Sequence, residues 1–228
     1  MVDMRYYPVN LDVQGRRCLV VGGGRVGTRK VGTLNQCGAR VVVVSPDVSQ
    51  TVLRLADEQA IVLKRRPYRS SDLDGMFLVI GATDDEALNR QINADAERQG
   101  LLCNIADRPE ICNFTLPAIV RRGHFMLAIS TAGKSPAFAK HIRKRLESQF
   151  GPEYGAVLAL LGAIRSKLLA DAHEPEVHKP LFEQLIEGDL LALVKDQQID
   201  QIDQLLKKTL GPGYRYHQLL PSNQQSQE

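Results

Sequence analysis

Three glycines at a fixed spacing follow directly on a short apolar run. The run is Cys18–Val21, the glycines are Gly22, Gly24 and Gly27, and a stretch that suits a helix continues to Gln36. In a strand, turn and helix of this kind, the first glycine permits a tight turn, the second lets a pyrophosphate approach the backbone, and the third lets the helix pack closely. Amides at the helix start then face the phosphates. The pattern predicts a dinucleotide site, and a glycine-rich turn without cofactor stays open as the alternative.

An acidic residue stands where such a site needs a ribose contact. Asp47 lies 20 residues after Gly27, at the end of the next apolar run, and can hydrogen-bond an adenosine ribose hydroxyl. This favours NAD over NADP, but Arg25 or Arg40 could accept a 2′-phosphate, so NADP stays open. Thr83, after a later strand, falls near the nicotinamide side. We assign the following residues to cofactor binding: Gly22, Gly24, Arg25, Val26, Gly27, Ser45, Pro46, Asp47 and Thr83.

A second acidic residue, Asp107, follows the apolar run Leu101–Ile105. Ligands of open α/β sheets bind beyond the carboxyl ends of the strands, so this carboxylate could accept a proton from a substrate. It could equally cap the turn before Pro109. The residue type and its position do not decide between these two roles.

Hydroxyl groups and a helix start come together further along the chain. Ser130 opens a turn that contains glycine, and Ser135 precedes Pro136 at the start of a helix. Hydroxyls and helix amides can donate hydrogen bonds to anionic groups of a ligand. Ser135 also fits an ordinary N-cap before a proline at the first helical position, so both roles stay open.

The elements that carry these residues alternate along the first half of the chain. Apolar runs predict strands at Cys18–Val21, Arg40–Val44, Ile61–Leu63, Met76–Ile80 and Leu101–Ile105. Helical stretches lie between them, as at Ser49–Gln59 and Asp84–Gln99. Strands and helices that alternate with short links predict an α/β fold, a Rossmann-like doubly wound parallel sheet.

The pattern changes after Asp107. Two strands, Phe114–Val120 and Phe125–Ile129, are followed by helical stretches. We therefore expect a small α+β segment, whose strands have no obvious partner within the first sheet, and then an α-helical C-terminal domain. The predicted boundaries are 1–112 for the NAD-binding domain, 113–150 for the α+β segment, 151–221 for the helical domain and 222–228 for a disordered tail.

Composition excludes several classes of protein. The chain has 228 residues, 43% of them hydrophobic, which suffices for a core. It has six Tyr, six Phe and no Trp, and its net charge is +3, so neither base stacking nor a strongly basic face suggests a nucleic-acid partner. His173 and His178 flank Pro175, which spoils helical presentation, so no metal site is predicted.

The cysteines and the shortness of the apolar runs indicate in which cellular compartment the protein works. Cys18, Cys37, Cys103 and Cys112 are widely spaced and form no C-x-x-C pair, which favours free thiols in a reducing environment. The N-terminus lacks the apolar region of a signal peptide, and the longest weakly polar run, Gly155–Ile164, is too short to span a membrane. We expect a cytoplasmic protein with no membrane partner.

Taken together, several short motifs resemble one family, the siroheme synthase dehydrogenase module, which includes precorrin-2 dehydrogenases and sirohydrochlorin ferrochelatases. The resemblance covers about residues 5–150 and thins after them. It rests on the order and spacing of these motifs: Tyr7-Pro8-Val9, Gly22 to Gly27 with Arg29-Lys30, Ser45-Pro46, Ala82-Thr83-Asp84-Asp85, Cys103 to Asp107, Phe114-x-x-Pro117-Ala118, and Ile129 to Pro136. Many members carry alanine at the position of Gly27, a change that the fingerprint permits.

The resemblance implies NAD-dependent oxidation of precorrin-2 to sirohydrochlorin in siroheme biosynthesis. It places Asp107 in the catalytic position and implies that Asn104, Ser130 and Ser135 contact the tetrapyrrole substrate. It also implies that residues 113–150 are a dimerisation segment that builds an intertwined homodimer, and it leaves open whether Fe²⁺ is then inserted as a second substrate. A methyltransferase activity is not expected. The alternatives are a non-enzymatic NAD-sensing regulator and a nucleotide-binding domain associated with an ion channel, and turnover of precorrin-2 with NAD would distinguish all three.

Overall fold

The computed structural model describes residues 5–171 and 175–221 of the chain. These residues fall into two compact units, which divide between Leu116 and Pro117. Each unit is described by itself below.

The described residues of the first unit form a five-stranded parallel sheet in the order β3-β2-β1-β4-β5. Its elements are β1 (Arg17–Gly23), α1 (Arg25–Gln36), β2 (Arg40–Val48), α2 (Gln50–Asp57), β3 (Val62–Lys64), β4 (Leu78–Gly81), α3 (Glu86–Arg98) and β5 (Leu102–Ile105), with short 3₁₀ turns at Ser70–Leu73 and Pro109–Ile111. The predicted doubly wound sheet is confirmed.

Hydrophobic cores cover both faces of this sheet, which explains why its central strands read as continuous apolar runs. On one face, Val31 of α1 and Val52 of α2 pack against alternate strand residues such as Val20. On the other face, Ile92 of α3 packs against the intervening residues, including Leu19. Because α1 and α3 lie on opposite faces, the chain turns in opposite directions from β1 and from β4. The carboxyl ends of these adjacent strands are therefore the switch point at which such sheets bind ligands.

The second unit begins with an antiparallel hairpin and continues as helices. The hairpin pairs β6 (Ala118–Arg122) with β7 (Phe125–Ile129). The helices are α4 (Pro136–Gln149), α5 (Glu153–Ala170), α6 (Pro175–Glu187), α7 (Leu190–Lys195), α8 (Ile199–Leu210) and α9 (Tyr216–Leu219). Leu160, Ile164 and Leu168 form the buried stripe of α5, at the spacing of one helix face, and pack against Ile202 and Leu206 of α8.

Two details differ from the sequence prediction. The strand expected from Phe114 begins only at Ala118, because Pro117 has no amide to donate and the carbonyl of Phe114 accepts a hydrogen bond from the Asn104 side chain. The short helices α7 and α9 were not predicted, since six and four residues give too little periodicity to recognise. The expected disorder of residues 222–228 lies outside the described residues.

Candidate active site

The turn between β1 and α1 needs glycine for backbone reasons at two of its positions. Gly22 has a φ of +107°, and a Cβ there would come well inside 3.0 Å of the Ala82 carbonyl oxygen. A Cβ on Gly27 would stand equally close to the Gly22 carbonyl oxygen. The first glycine therefore lets the turn pass close to the end of β4, and the second lets α1 pack on the turn. Although the fingerprint permits alanine in place of Gly27, this chain has no room for it.

Gly24 differs from both, because the space beside it is open. A Cβ at Gly24 would meet nothing within 4 Å among the described residues, and the residue is exposed. Gly24 is the N-cap of α1, and within the described part of the chain no side chain caps that end of the helix. Helix amides that lack a capping side chain and face open space suit a phosphate group. The residues present therefore fit the pyrophosphate of a dinucleotide.

Ser45 ties the glycine turn to the end of β2. Its buried hydroxyl accepts a hydrogen bond from the Gly23 amide at 3.0 Å and donates one to the Asp47 carbonyl at 2.6 Å. The Ser49 amide donates to the Gly23 carbonyl at 2.9 Å and adds a second link. Pro46 and Asp47 are exposed beside this junction. Ser45 therefore holds Asp47 at a defined place beside the turn, and a direct contact of Ser45 with the cofactor stays a prediction.

Thr28 is a further part of this network that sequence analysis did not find. Its hydroxyl donates to the Gly24 carbonyl at 2.9 Å and lies 2.8 Å from the Ser49 hydroxyl. The two side chains are 21 residues apart in the chain, so no local pattern could have paired them. Thr28 stabilises the turn on the side of Gly24 that faces α2.

Thr83 follows β4, where the sequence placed it, and it is held by a buried asparagine. The Thr83 hydroxyl donates to Oδ1 of Asn89 at 2.9 Å, and Nδ2 of Asn89 donates back to the Thr83 carbonyl at 2.9 Å. Asn89 lies on the buried face of α3 with Ile92 and Ala96. A polar residue at a core position of an amphipathic helix was the signal that could have identified Asn89.

Asp107 lies in a four-residue turn, Ile105–Arg108, that follows β5. The Arg108 amide donates to the Ile105 carbonyl at 3.3 Å, and the Ala106 amide donates to the Gly81 carbonyl at the end of β4 at 2.8 Å. Asp107 itself has a φ of +61°, a conformation that residues other than glycine seldom adopt, and it is exposed. Backbone strain of this kind concentrates at functional sites.

A cationic side chain lies within electrostatic reach of Asp107. Burial lowers the pKa of Lys30, and the nearby positive charge of Arg29 lowers it further, while the carboxylate of Asp107 acts in the opposite direction. Lys30 belongs to the first turns of α1, so it brings a positive charge from the glycine turn to the acidic residue. The sequence showed Lys30 only as part of a motif and assigned it no role.

Asn104 is buried in the strand before the Asp107 turn. Its Nδ2 donates to the Phe114 carbonyl at 3.0 Å, which holds the chain as it leaves the first unit. Asn104 and Asp107 thus lie in one short segment, and the Asn104 side chain fixes the backbone that follows this segment at Phe114. Contact of the Asn104 amide with a substrate stays a prediction.

Ser130 and Ser135 belong to the second unit. The Ser130 hydroxyl is exposed and accepts a hydrogen bond from the Ala132 amide at 3.1 Å. The Ser135 hydroxyl accepts one from the Phe138 amide at 3.1 Å and so caps α4. The capping role left open by the sequence is therefore present in the structure, and a substrate role for either serine stays a prediction.

Four adjacent strands bring the predicted residues of the first unit together at the carboxyl ends of the strands. In the order of the strands, these are Asp47 after β2, the glycine turn after β1, Thr83 after β4 and Asp107 after β5. Direct contacts join each neighbouring pair: Gly23 with Ser45, the glycine turn with Ala82, and Ala106 with Gly81. The site is thus a continuous row of loops that offers phosphate donors at its centre and a carboxylate at each end.

Two other properties of the described residues are whether they could hold a metal ion and whether one of their helices could span a membrane. Among the side chains that the structure describes, no group of three or more His, Cys, Asp or Glu could hold a metal ion. The side chains of His173, Glu174 and Glu176 in the His173–His178 segment are not among them. None of the helices that the structure describes is both long and apolar enough to cross a membrane.

Comparison with known proteins gives two family models and several relatives. An NAD(P)-binding family model matches residues 9–118, and the model of the sirohaem biosynthesis protein central domain matches residues 126–149. The solved structure of SirC, a precorrin-2 dehydrogenase, is 31% identical with a TM-score of 0.76, over 89% of this chain and 100% of that one.

Curated relatives include longer proteins. The siroheme synthase of Thioalkalivibrio sulfidiphilus is 37% identical over 210 residues, which are 92% of this chain and 43% of the relative. The siroheme synthase of Nitrosococcus oceani is 34% identical over 92% of this chain and 45% of the relative. The chain therefore spans less than half the length of these siroheme synthases.

Proposed function

The chain belongs to the precorrin-2 dehydrogenase family, and on that premise we propose that it oxidises precorrin-2 to sirohydrochlorin with NAD. One observation carries the proposal: the open start of α1, which no side chain of the described residues caps, and Asp107, whose backbone has a positive φ, lie at the carboxyl end of the same sheet. The likeness to SirC and the NAD(P)-binding model support the same assignment.

The reaction removes two electrons and two protons from the substrate. When bound, NAD supplies the hydride acceptor, and it leaves as NADH. Asp107 accepts the proton that the ring loses in the same oxidation and passes it to water, so that precorrin-2 and NAD⁺ give sirohydrochlorin, NADH and a proton. The exposed carboxylate is available for this step, and Lys30 supplies a positive charge nearby.

The order of the loops along the sheet matches the order of the parts of a dinucleotide. Asp47 would hydrogen-bond the adenosine ribose, the backbone of Gly22, Gly24 and Gly27 with Arg25 and Val26 would hold the pyrophosphate, and Thr83 would lie beside the nicotinamide. Ser45 and Pro46 shape the adenosine end. This order leaves Asp107, on the next strand, beside the reactive end of the cofactor. Asp47 favours NAD over NADP, and comparison of turnover with both would test that choice.

The substrate bears many carboxylates, so its site needs donors. Ser130, Ser135 and Asn104 are our proposed substrate contacts, with the start of α4 as a further source of amides. If Fe²⁺ is a second substrate, Asp107 is placed to help deprotonate pyrrole nitrogens while the tetrapyrrole supplies the final metal ligands. The protein then needs no resident metal.

The β6–β7 hairpin supports a homodimer. A two-stranded sheet has little stability of its own, and in the described part of the chain neither outer edge of this hairpin pairs with another strand. Ile119 and Met126 lie on one face of the hairpin and are 38% and 43% exposed. Pairing with a second copy would cover both features. All four cysteines of the chain are free, which supports a cytoplasmic location.

The test is an anaerobic incubation of the purified chain with precorrin-2 and NAD. We expect one NADH for each sirohydrochlorin formed, and a parallel reaction with Fe²⁺ shows whether siroheme follows. A chain that binds NAD but forms no NADH from precorrin-2 would be a sensor, and the proposed oxidation would be wrong. Size measurement in solution tests the dimer.

A further inference from the structure

One buried thiol contacts both ends of the turn that carries Asp107. Cys112 is 5% exposed, and its Sγ accepts a hydrogen bond from the Ile105 amide at 3.1 Å. The same sulfur lies 3.1 Å from the Arg108 carbonyl and 3.4 Å from the Ile105 carbonyl, to either of which its S–H can donate. Because Ile105 and Arg108 are the first and last residues of the turn, the thiol spans it.

The thiol belongs to a segment that covers the edge of the sheet. Since β5 is an edge strand, amides on its outer side need partners from elsewhere. Asn113 supplies one such partner, because its Oδ1 accepts a hydrogen bond from the Cys103 amide at 2.8 Å. The Sγ of Cys112 is the partner of the next outward-facing amide, that of Ile105. Of these two contacts, the one from Cys112 is the nearer to Asp107 along the chain, because Ile105 precedes Asp107 by two residues.

The Asp107 turn needs such support. The φ of +61° at Asp107 lies in the left-handed region, which aspartate adopts more readily than most L residues but still at a cost, so contacts that hold the ends of the turn favour this conformation. Its own closing hydrogen bond, from the Arg108 amide to the Ile105 carbonyl, is long at 3.3 Å. The Ala106 amide anchors only the side toward β4. Burial also raises the pKa of the Cys112 thiol, which keeps the proton on sulfur and preserves its donor.

From these contacts we propose that Cys112 is a positioning residue that holds the Asp107 carboxylate in its reactive place. Because Cys112 is buried, we assign it no contact with substrate or cofactor, and it acts through the Asp107 turn. The inference rests on the proposed function of Asp107, and its test is designed so that the two can fail separately.

Turnover is compared for Cys112→Ala, Cys112→Ser and a matched control, Cys18→Ala. Alanine removes the donor and acceptor, so we expect kcat for precorrin-2 to fall about tenfold while KM and the affinity for NAD stay within about twofold. Serine keeps both hydrogen-bonding groups and restores most of kcat. Cys18 is another buried thiol of the first unit, on β1, so its loss should leave kcat unchanged.

Amide exchange at Arg108 gives a readout that does not depend on activity. We expect this amide to exchange about tenfold faster in Cys112→Ala than in the wild-type chain, and at the wild-type rate in Cys112→Ser. Unchanged kcat and unchanged exchange in Cys112→Ala would overturn the proposal, as would a fall in kcat that serine does not restore. If the wild-type chain fails to oxidise precorrin-2, the proposed function is wrong, and the exchange rates alone decide whether the thiol holds the turn.

Discussion

Replacing Gly24 with alanine tests whether the open space at the start of α1 holds the pyrophosphate of NAD. In the protein itself the new methyl group would meet nothing within 4 Å among the described residues, and the backbone at Gly24 is extended, with φ −72° and ψ −169°. Alanine adopts that conformation freely, so the free energy of unfolding should change by less than about 1 kcal/mol. The fold tolerates the methyl group, and only a ligand would collide with it.

The expected loss of cofactor affinity follows from that collision. Forcing a methyl group into a closely packed contact costs about 1–3 kcal/mol. Since about 1.4 kcal/mol corresponds to tenfold in an equilibrium constant, the Kd for NAD should rise about 5- to 140-fold. Isothermal titration with NAD measures the affinity, and urea unfolding measures the stability.

Two further glycines of α1 serve as controls. Gly32→Ala also meets nothing within 4 Å among the described residues, so it should leave NAD binding unchanged and stabilise the helix by about 0.5–1 kcal/mol. Gly27→Ala would press a methyl group against the Gly22 carbonyl, so it should destabilise the first unit by about 2–3 kcal/mol as well as weaken NAD binding. Wild-type affinity for NAD in Gly24→Ala would refute the placement of the pyrophosphate.

Two other predictions concern the stability and the thiols of the chain. Contacts with Arg66 and Lys64 hold the pKa of the buried Asp72 well below its usual range, so the ionised carboxylate stabilises the fold above about pH 4, and this contribution is lost as the pH falls further. Asp72→Asn should therefore lose about 2 kcal/mol near neutral pH and show a flatter acid limb in urea unfolding, and parallel limbs would contradict this. Burial raises the pKa of Cys103 to about 12, and Cys37 is the exposed thiol among the free cysteines. A thiol reagent at about pH 8 should label one cysteine rapidly in the folded chain and every cysteine after denaturation, and rapid labelling of a second thiol would count against the burial.

Local signals were sufficient to predict the sheet and the glycine turn. The run Cys18–Val21 and the valines after Arg40 are apolar because both faces of their strands are buried. The glycine spacing identified the turn because the steric demands at Gly22 and Gly27 arise within a few residues and from the adjacent strand. Asp107 was found as a candidate because it follows a strand, a position that sequence can show.

Contacts between distant residues could not be predicted in this way. The hydrogen bonds of Ser45 with Gly23 and of Thr28 with Ser49 join residues 22 and 21 positions apart, and neither hydroxyl belongs to a pattern. The left-handed backbone conformation of Asp107 could not be predicted from the sequence for a different reason. Aspartate is compatible with many turns, and only the surrounding contacts dictate which conformation it takes.

If Asp107 takes a proton from a tetrapyrrole oxidised by NAD at the glycine turn, loss of its carboxylate should slow that oxidation. Single-turnover formation of NADH from precorrin-2 by Asp107→Asn, loaded with NAD, measures this step, because asparagine tolerates a positive φ and removes only the basic oxygen. We expect unchanged NAD affinity and a rate about 100- to 10,000-fold below that of the wild-type chain. NADH formation at the wild-type rate would show that Asp107 is not the base.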